Sequence, residues 1–359
     1  MIKKGSLYCA SDKALNDALR QHKMTKTALH ELMYSRGMLV SNELDKEDIA
    51  LHLSRINHDY FDHALISEKL ATSSRKEKHQ SKKTTTQVSR ESIEEAIKQL
   101  IDNRQDFEDE ITHTVHQNSI EIDVTYSYLD YNKSEFKQLV KKDATISIEF
   151  LNDEICIRNP DNEYIGIFCE ELLDEIEKES NQEVQYRKIS LSGTTDPRDK
   201  IRFFEHLISN IDGFDLYNVS DVTVFHPDSG EENKEKLGTF VKKASLNGDG
   251  IFESGELKDL FKKGFYIYKV SWASTKMVDN EPRLYLFHAQ FNDPEFCSDF
   301  SYLVKGYRPK GEKSDFSKQT KPLTKVEDIQ LMRRIETCAY SALDEIKATS
   351  SGGQSNEQP

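Results

Sequence analysis

The stretch SIEIDVTYSYLD, residues 119–130, alternates strictly between apolar and polar side chains. Successive side chains of a β-strand point to opposite faces, so this alternation predicts a strand with one buried face. The buried face would carry Ile120, Ile122, Val124, Tyr126 and Tyr128. Such a strand needs a second layer to cover it, and the flanking sequence indicates which kind of layer that is.

The segments around this strand predict helices and a hairpin. Ser92 followed by Glu95 is a capping-box pattern, and the apolar stripe behind it predicts a helix that reaches roughly to residue 112. ATISIEFLNDEICIRN, residues 144–159, predicts a hairpin that turns at its Asn-Asp pair. Residues 164–180 predict the end of a strand followed by an acidic helix.

A second group of strands and helices follows. Pro197 stands just after Thr195 and Asp196, either of which can cap a helix, so a helix is predicted to begin there. Helices separated by short groups of strands indicate an α+β fold, with a mixed or antiparallel sheet and flanking helices. The later elements are strands at residues 184–193, 219–227, 265–274, 283–291 and 300–309, and a closing helix at 325–348.

Composition limits the class of protein. Of 359 residues, 31% are charged and 36% hydrophobic, which indicates a well-solvated, helix-rich chain with enough apolar residues for a core. No run approaches 18 apolar residues and no secretory signal is recognised, so no membrane partner is expected. The five cysteines are scattered without a CxxC pair, which favours reduced thiols in a cytoplasm. No cofactor and no structural zinc are predicted.

Charge is divided unevenly along the chain, whose net charge is −14. Residues 1–90 carry 16 lysines and arginines against 11 acidic residues, whereas the rest carries 33 against 52. A polyanion is therefore expected to meet residues 1–90, and a protein partner is expected to dock on the acidic body. Ordinary surface variation is the alternative explanation of the difference.

Residues 25–56 predict two short helices joined by an extended link. Thr25 or Thr27 can cap the first helix, Gly37 can end it in a left-handed conformation, and Asp45 can cap the second helix. This unit resembles the SAP family of small nucleic-acid-binding modules. The resemblance rests on Leu29 and Leu32, the Arg36-Gly37-Met38 turn, Lys46, and Ile49 with Leu53.

The SAP resemblance implies that basic residues near the turn and at the start of the second helix contact the DNA backbone. Arg36 and Lys46 occupy the matching positions. Four carboxylates lie close to Lys46 in the sequence and would repel phosphate. DNA binding, protein docking and simple stabilisation of the unit therefore remain open as its role.

The segment that follows is rich in serine, threonine and lysine, with Val88 as its only apolar residue. This composition predicts a flexible linker at residues 74–90. Its cations are candidates for loose contacts with phosphate, and a solvated hinge is the alternative. These candidate nucleic-acid-binding residues are Arg75, Lys76, Lys78, Lys82 and Lys83.

The predicted parts of the chain are a helical head at 1–73, the linker at 74–90, an acidic α+β body at 91–348 with a sub-boundary near 180, and a disordered tail at 349–359.

SLNGDGIFESGE, residues 245–256, has the spacing of an EF-hand calcium loop. Its candidate ligands would be Ser245, Asn247, Asp249, Ile251 and Glu256. Serine is neutral at the first position, where an aspartate normally anchors the ion, and no second loop pairs with this one. A turn between two helices is therefore favoured over a metal site. The predicted helices and strands around this turn also follow the element order of a winged helix, which is a DNA-binding fold.

No P-loop, dinucleotide-binding or nucleophile-elbow motif occurs in the sequence. We therefore expect a non-catalytic nucleic-acid-associated adaptor or regulatory subunit of bacterial origin, which would act in genome maintenance or antiviral defence. It would contact DNA or RNA through residues 1–90. The first alternative is a divergent metal-dependent nuclease that uses Asp123 or Glu149, although none of the four E-x-K tripeptides lies in a predicted strand. The second is a protein-binding scaffold without nucleic acid.

Overall fold

The computed structural model describes residues 10–70, 76–104, 109–151, 154–227, 241–311 and 315–352. Its helices are α1 (Asp12–Arg20), α2 (Lys26–Ser35), α3 (Lys46–Leu53), α4 (Tyr60–Leu70), α5 (Arg90–Asn103), α6 (Glu163–Ser180), α7 (Pro197–Ser209), α8 (Gly255–Lys262) and α9 (Lys325–Gly352). Its strands are β1 (His79–Thr84), β2 (Glu110–Val115), β3 (Ser119–Leu129), β4 (Leu139–Phe150), β5 (Ile155–Pro160), β6 (Tyr186–Lys188), β7 (Asp215–Phe225), β8 (Lys243–Asn247), β9 (Tyr266–Val278), β10 (Glu281–Asp293) and β11 (Ser298–Pro309).

Helices α1–α4 form the head, residues 10–70, around a core of their own. The Thr25 hydroxyl accepts a hydrogen bond from the Ala28 backbone N–H and caps α2, and Gly37 follows the helix with a φ of 72°. Helices α2 and α3 thus follow the predicted helix–extended–helix order. The likeness to the SAP family stays a prediction, because this order alone does not identify a family.

The head is joined to the body through the connection between β3 and β4. A 3₁₀ turn at Glu135–Lys137 presents Phe136, which is 2% exposed and belongs to the head core. The Glu135 carboxylate accepts a hydrogen bond of 2.7 Å from the Ser11 backbone N–H at the start of α1. An aromatic side chain of the body thus completes the core of the head.

The body contains one 11-stranded antiparallel sheet, so the predicted α+β fold is confirmed. Ten strands follow the order β2-β3-β4-β5-β1-β11-β10-β9-β7-β8, and β6 pairs with β1 beside this path. The apolar positions Ile120, Ile122, Val124 and Tyr126 of β3 all lie in a core with α5 and α6, as the alternation predicts.

The sheet consists of two halves that share one element order. The first half runs α5, β2 to β5 and α6, and the second runs α7, β7, β9 to β11 and α9, with β8 and α8 inserted. Ile157 of β5 packs in the core of α5 and α6, whereas the next residue, Arg158, contacts Glu336 of α9. Neighbouring residues of a strand point to opposite faces, so the two pairs of helices cover opposite faces of the sheet.

The prediction of a flexible linker at residues 74–90 is wrong for the part that forms β1. This strand lies near the middle of the sheet, where it pairs with β5, with β6 and at His79 with β11. Its side chains are polar because several of them bond to the body. Lys83, for example, forms an ion pair with Glu154 at 3.0 Å. Low hydrophobicity was therefore a false indicator of disorder here.

Two other boundaries also differ from the sequence prediction. Helix α5 ends at Asn103, not near residue 112, and residues 110–115 form the edge strand β2. Residues 164–180 are helical throughout as part of α6, which Asn162 caps by accepting a hydrogen bond from the Ile165 N–H. The short apolar run at the start of α6 fits a strand and a buried helix equally well by pattern alone.

Candidate functional site

The site is built on the face of β9–β11 that points away from α7 and α9. Phe287, Ala289 and Phe291 of β10 lie in the core with those helices, so the residues between them point to the opposite face. We call this surface the ladder face. It consists of Lys269, Ser271, His288, Gln290, Asn292, Ser301 and Lys305.

A continuous chain of side-chain hydrogen bonds crosses the ladder face. Ser271 Oγ lies 2.9 Å from His288 Nδ1, and His288 Nε2 lies 3.2 Å from Gln290 Oε1. Gln290 Nε2 donates to Asn292 Oδ1 at 2.6 Å, and Asn292 Nδ2 donates to both carboxylate oxygens of Asp161, at 2.9 and 3.1 Å. The chain thus links β9 to the end of β5 across three intervening strands.

The geometry of these bonds is compatible with a neutral His288. Burial, together with the charges of Lys305, Lys269 and Lys78, lowers the pKa of His288 to about 4. A neutral ring that carries its proton on Nε2 can donate to Gln290 while Nδ1 accepts from the Ser271 hydroxyl. Every donor then points towards Asp161, so the ladder is polarised towards a carboxylate.

Three lysines surround this hydrogen-bond chain. Lys78 Nζ donates to Asn292 Oδ1 at 3.1 Å and lies 3.2 Å from Asp161. Lys305 is exposed, and Lys269 is half-buried on the neighbouring part of the face. Burial followed by the charge of Lys269 lowers the pKa of Lys305, although Asp221 opposes this shift. In the part of the chain that the structure describes, neither Lys269 nor Lys305 forms an ion pair, so both ammonium groups are available to an anion.

A polar cleft adjoins the ladder face where α6 begins. Asn292 of the ladder face and Asp161, to which it donates, both line this cleft. Its cavity volume is about 490 Å³, and its walls include Gln80, Lys82, Asn159, Glu170, Lys188 and Asp299. This size is within the range of small-molecule sites in proteins. Unlike most such sites, the cleft is lined almost wholly by polar side chains.

Lys82 and Lys188 are directly opposite each other in the pairing of β1 with β6. Lys82 is only 8% exposed, and burial followed by the charge of Lys188 lowers its pKa. Among the described residues no carboxylate lies within ion-pair distance of either lysine. Like charges placed opposite each other on a sheet are unfavourable, and the charges of Glu170 and Asp299 oppose the lowering of the Lys82 pKa.

The two cations that the SAP resemblance singles out are bonded within the head. Arg36 pairs with Asp62 and donates to the backbone oxygen of Asn57 at 2.6 Å. Lys46 Nζ donates to the backbone oxygen of Gln21 at 2.9 Å, at the C-terminal end of α1. Both side chains thus stabilise contacts between helices.

The predicted linker cations have separate locations. Lys76 pairs with Asp328 and donates to the backbone oxygen of Val304, and Lys83 pairs with Glu154 on the opposite face from Lys82. Arg75 lies outside the described residues. Of the four candidates that the structure describes, Lys78 reaches the ladder face and Lys82 reaches the cleft.

The region of the calcium candidate differs from the predicted helix–turn–helix. Residues 243–247 form β8, so Ser245 and Asn247 lie on a strand, and the residues predicted to precede it as a helix extend outside the described part of the chain. The Ser245 hydroxyl is 3.1 Å from that of Thr223, and Asp249 accepts a 2.5 Å hydrogen bond from Asn218. Ile251 is buried, and Ser254 caps α8 immediately before Glu256. The register with β7 places Ser245 opposite Thr223 and Asn247 opposite Asp221.

The residues named for a nuclease also have other partners. Asp123 accepts a hydrogen bond of 2.6 Å from Thr145, and Glu149 is held by Arg158 and Arg333. Across the described residues, no group of three histidine, cysteine, aspartate or glutamate side chains is arranged to hold a metal ion.

Sequence reasoning missed His288, Gln290, Asn292 and Lys188 as members of one site. The stretch RLYLFHAQFND, residues 283–293, was identified as a strand, and its alternation already separates His288 and Gln290 from the aromatic positions. That pattern could have indicated a polar face. The approach of Asp161 and β1 to that face depends on strand order, which no local pattern specifies.

No protein-family model matches this sequence, and comparison with curated proteins found no similar chain. In the described part of the chain, no helix combines the length and the apolar character needed to cross a lipid bilayer. The geometry of the ladder face and of the cleft is therefore the basis for the function proposed below.

Proposed function

We propose that this chain is a non-catalytic nucleic-acid-associated adaptor, and that a single strand of DNA or RNA binds across its ladder face. The observation that carries the proposal is the set of cations around one hydrogen-bonded chain of amides, Lys78, Lys269 and Lys305. Lysines attract backbone phosphates, and side-chain amides donate and accept hydrogen bonds with sugars and bases.

The proposal moves the expected contact from residues 1–90 to the ladder face. Of the three cations there, Lys78 lies within residues 1–90. The head, residues 10–70, has eight lysines and arginines against ten acidic residues, and Arg36 and Lys46 are bonded internally. The positive excess of residues 1–90 comes largely from the segment around β1, which the fold inserts into the body. Two of these cations, Lys78 and Lys82, lie at the ladder face and in the cleft.

The test is fluorescence anisotropy of a labelled single-stranded 20-mer, as DNA and as RNA, titrated with the full chain. The variant Lys269→Gln/Lys305→Gln removes two charges from the ladder face. Lys98→Gln/Lys178→Gln is the matched control, because those lysines lie on α5 and α6 in exposed pairs with Glu95 and Glu175. We expect the first variant to weaken binding roughly tenfold or more and the control to change it little. Equal affinities of wild type and both variants would contradict the proposal.

A protein-binding scaffold is the second candidate, and the head surface favours it. Tyr34 is 71% exposed, Leu39 87% and Phe61 72%. The Arg36–Asp62 pair holds the end of α2 against the start of α4, which brings Tyr34 and Phe61 onto neighbouring elements. Exposed aromatic side chains of this kind are enriched at protein interfaces. Undiminished affinity for a captured partner in the variant Tyr34→Ser/Phe61→Ser would contradict this role.

A further inference from the structure

The polar cleft contains a largely buried lysine without an ion pair and a buried amide oxygen without a hydrogen bond among the described residues. Lys82 is 8% exposed and forms no hydrogen bond or ion pair there, and Asn159, 2% exposed, has an Oδ1 atom that accepts no hydrogen bond. A largely buried lysine without an ion pair is unfavourable, and a bound anion would reduce that cost. The cleft is thus incomplete as a set of interactions.

The position of Lys188 strengthens this requirement. It lies opposite Lys82 on β6, so the two ammonium groups approach the cleft from adjacent strands. A group with a charge near −2 and several acceptor oxygens would neutralise both cations at once, which a single carboxylate would not.

The remaining walls of the cleft provide acceptors. Glu170 and Asp299 lie near Lys82 without an ion pair to it, and Gln80 donates to Asp161 at 2.8 Å. Hydroxyl and amino groups of a ligand are donors that would suit these carboxylates. The cleft therefore combines an anion-binding part with a part that accepts hydrogen bonds.

Gly166, in the first turns of α6, leaves room for such a ligand. A Cβ atom built on Gly166 would meet no atom within 4 Å, and this residue lines the cleft. A glycine inside a helix is less favourable than an alanine, so helix stability does not explain the missing side chain at this position. The open volume lies directly in front of the helix surface.

We infer that the polar cleft binds a phosphomonoester, with Lys82 and Lys188 on the phosphate and with Glu170 and Asp299 accepting from the attached sugar or base. The phosphomonoester has two sources, a free nucleotide or the terminal phosphate of a nucleic-acid strand. The second source rests on the proposed function, since Asn292 and Asp161 connect the cleft to the ladder face. The first does not.

The experiment uses the full chain and isothermal titration calorimetry with adenosine monophosphate, and with adenosine as the probe that lacks phosphate. We expect adenosine monophosphate to bind at least about tenfold more tightly than adenosine, which corresponds to 1.4 kcal/mol. Lys82→Gln should remove most of this difference, and Lys188→Gln should reduce it. Lys98→Gln should leave it unchanged.

Gly166→Leu is a second variant that fills the cleft without changing any charge. It should abolish binding of adenosine monophosphate while the far-UV circular dichroism of the protein stays the same. This variant keeps the inference testable if Lys82→Gln fails to fold. Equal binding of adenosine monophosphate and adenosine, or full binding by a folded Gly166→Leu protein, would overturn the inference.

Single strands with a 5′-phosphate or a 5′-hydroxyl then distinguish the sources. Tighter binding of the phosphorylated strand, lost in Lys82→Gln, supports the strand end as the ligand. Equal binding of both strands together with binding of adenosine monophosphate supports the free nucleotide. Failure of all strands to bind would contradict the proposed function alone, whereas absence of any phosphate effect would overturn this inference alone.

Discussion

The guanidinium of Arg158 on β5 is held by both carboxylate oxygens of Glu336 on α9, with Nη2 at 2.6 Å from Oε2. Arg158 Nη1 also donates to Glu149 at 2.7 Å, and the Tyr302 hydroxyl donates to Glu336. These four residues are at most 4% exposed. They join β4 and β5 of the first half to β11 and α9 of the second, so the two halves share one buried ionic cluster.

Removing Glu336 should therefore destabilise the body strongly. Glu336→Ala leaves the Arg158 guanidinium buried without two of its three carboxylate hydrogen bonds. Breaking a buried ion pair in this way costs about 3–5 kcal/mol of unfolding free energy. Arg333→Ala is the control, because Arg333 contacts Glu149 from a half-exposed position. Urea denaturation of both variants measures the difference, and a cost below about 1 kcal/mol for Glu336→Ala would show that the cluster is not what joins the halves.

Attachment of the head should depend on Phe136. Phe136→Ala removes a buried aromatic ring from the head core at a cost of about 3–5 kcal/mol. Amide hydrogen exchange in α1–α4 should accelerate while that of β9–β11 stays slow. Tyr131→Ala, at a 76% exposed position of the same connection, should have no such effect. Uniform acceleration over head and body would indicate a single cooperative unit.

Acidification should destabilise the protein through its buried histidines. Burial lowers the pKa of both His288 and His79 to about 4, whereas an unfolded histidine titrates near 6.5. Between these values the unfolded chain binds more protons, so the free energy of unfolding falls as pH decreases from about 6.5 to 4.

His288→Gln should reduce the loss of stability between pH 7 and pH 5, as measured by urea denaturation at each pH. His116→Gln, at an exposed position after β2, is the matched control and should leave the loss unchanged. The account of a neutral, ladder-bonded His288 would be wrong if the wild type and His288→Gln lost the same free energy over this range.

Calcium should not stabilise the segment around Asp249. That carboxylate already bonds to Asn218, and β8 holds Ser245 beside Thr223. The melting temperature should be the same in 1 mM calcium chloride and in EDTA, since a ligand that binds only the folded state raises it. An increase of more than about 2 °C with calcium, lost in Asp249→Asn, would restore the metal site.

The sequence predicts the elements of this fold well where one residue pattern dominates. Alternation located β3, β9, β10 and β11, and Pro197 after Asp196 located the start of α7. Prediction from the sequence fails at β1. The lysines and the serine of this strand fit a central position only because other parts of the chain supply their partners. The same long-range pairing brings Lys82 to Lys188 and Asn292 to Asp161, so the candidate site could not be assembled from local patterns.

The most direct test of the proposed nucleic-acid contact is the salt dependence of binding to a single-stranded 20-mer. The logarithm of the association constant should fall linearly with the logarithm of salt concentration, by about 0.7 for each phosphate neutralised. We predict that Lys269→Gln/Lys305→Gln lowers this slope by about 1 to 1.5 relative to wild type, and that Lys98→Gln/Lys178→Gln leaves it unchanged. An identical slope in wild type and the ladder-face variant would mean that no phosphate is bound there, and would contradict the account.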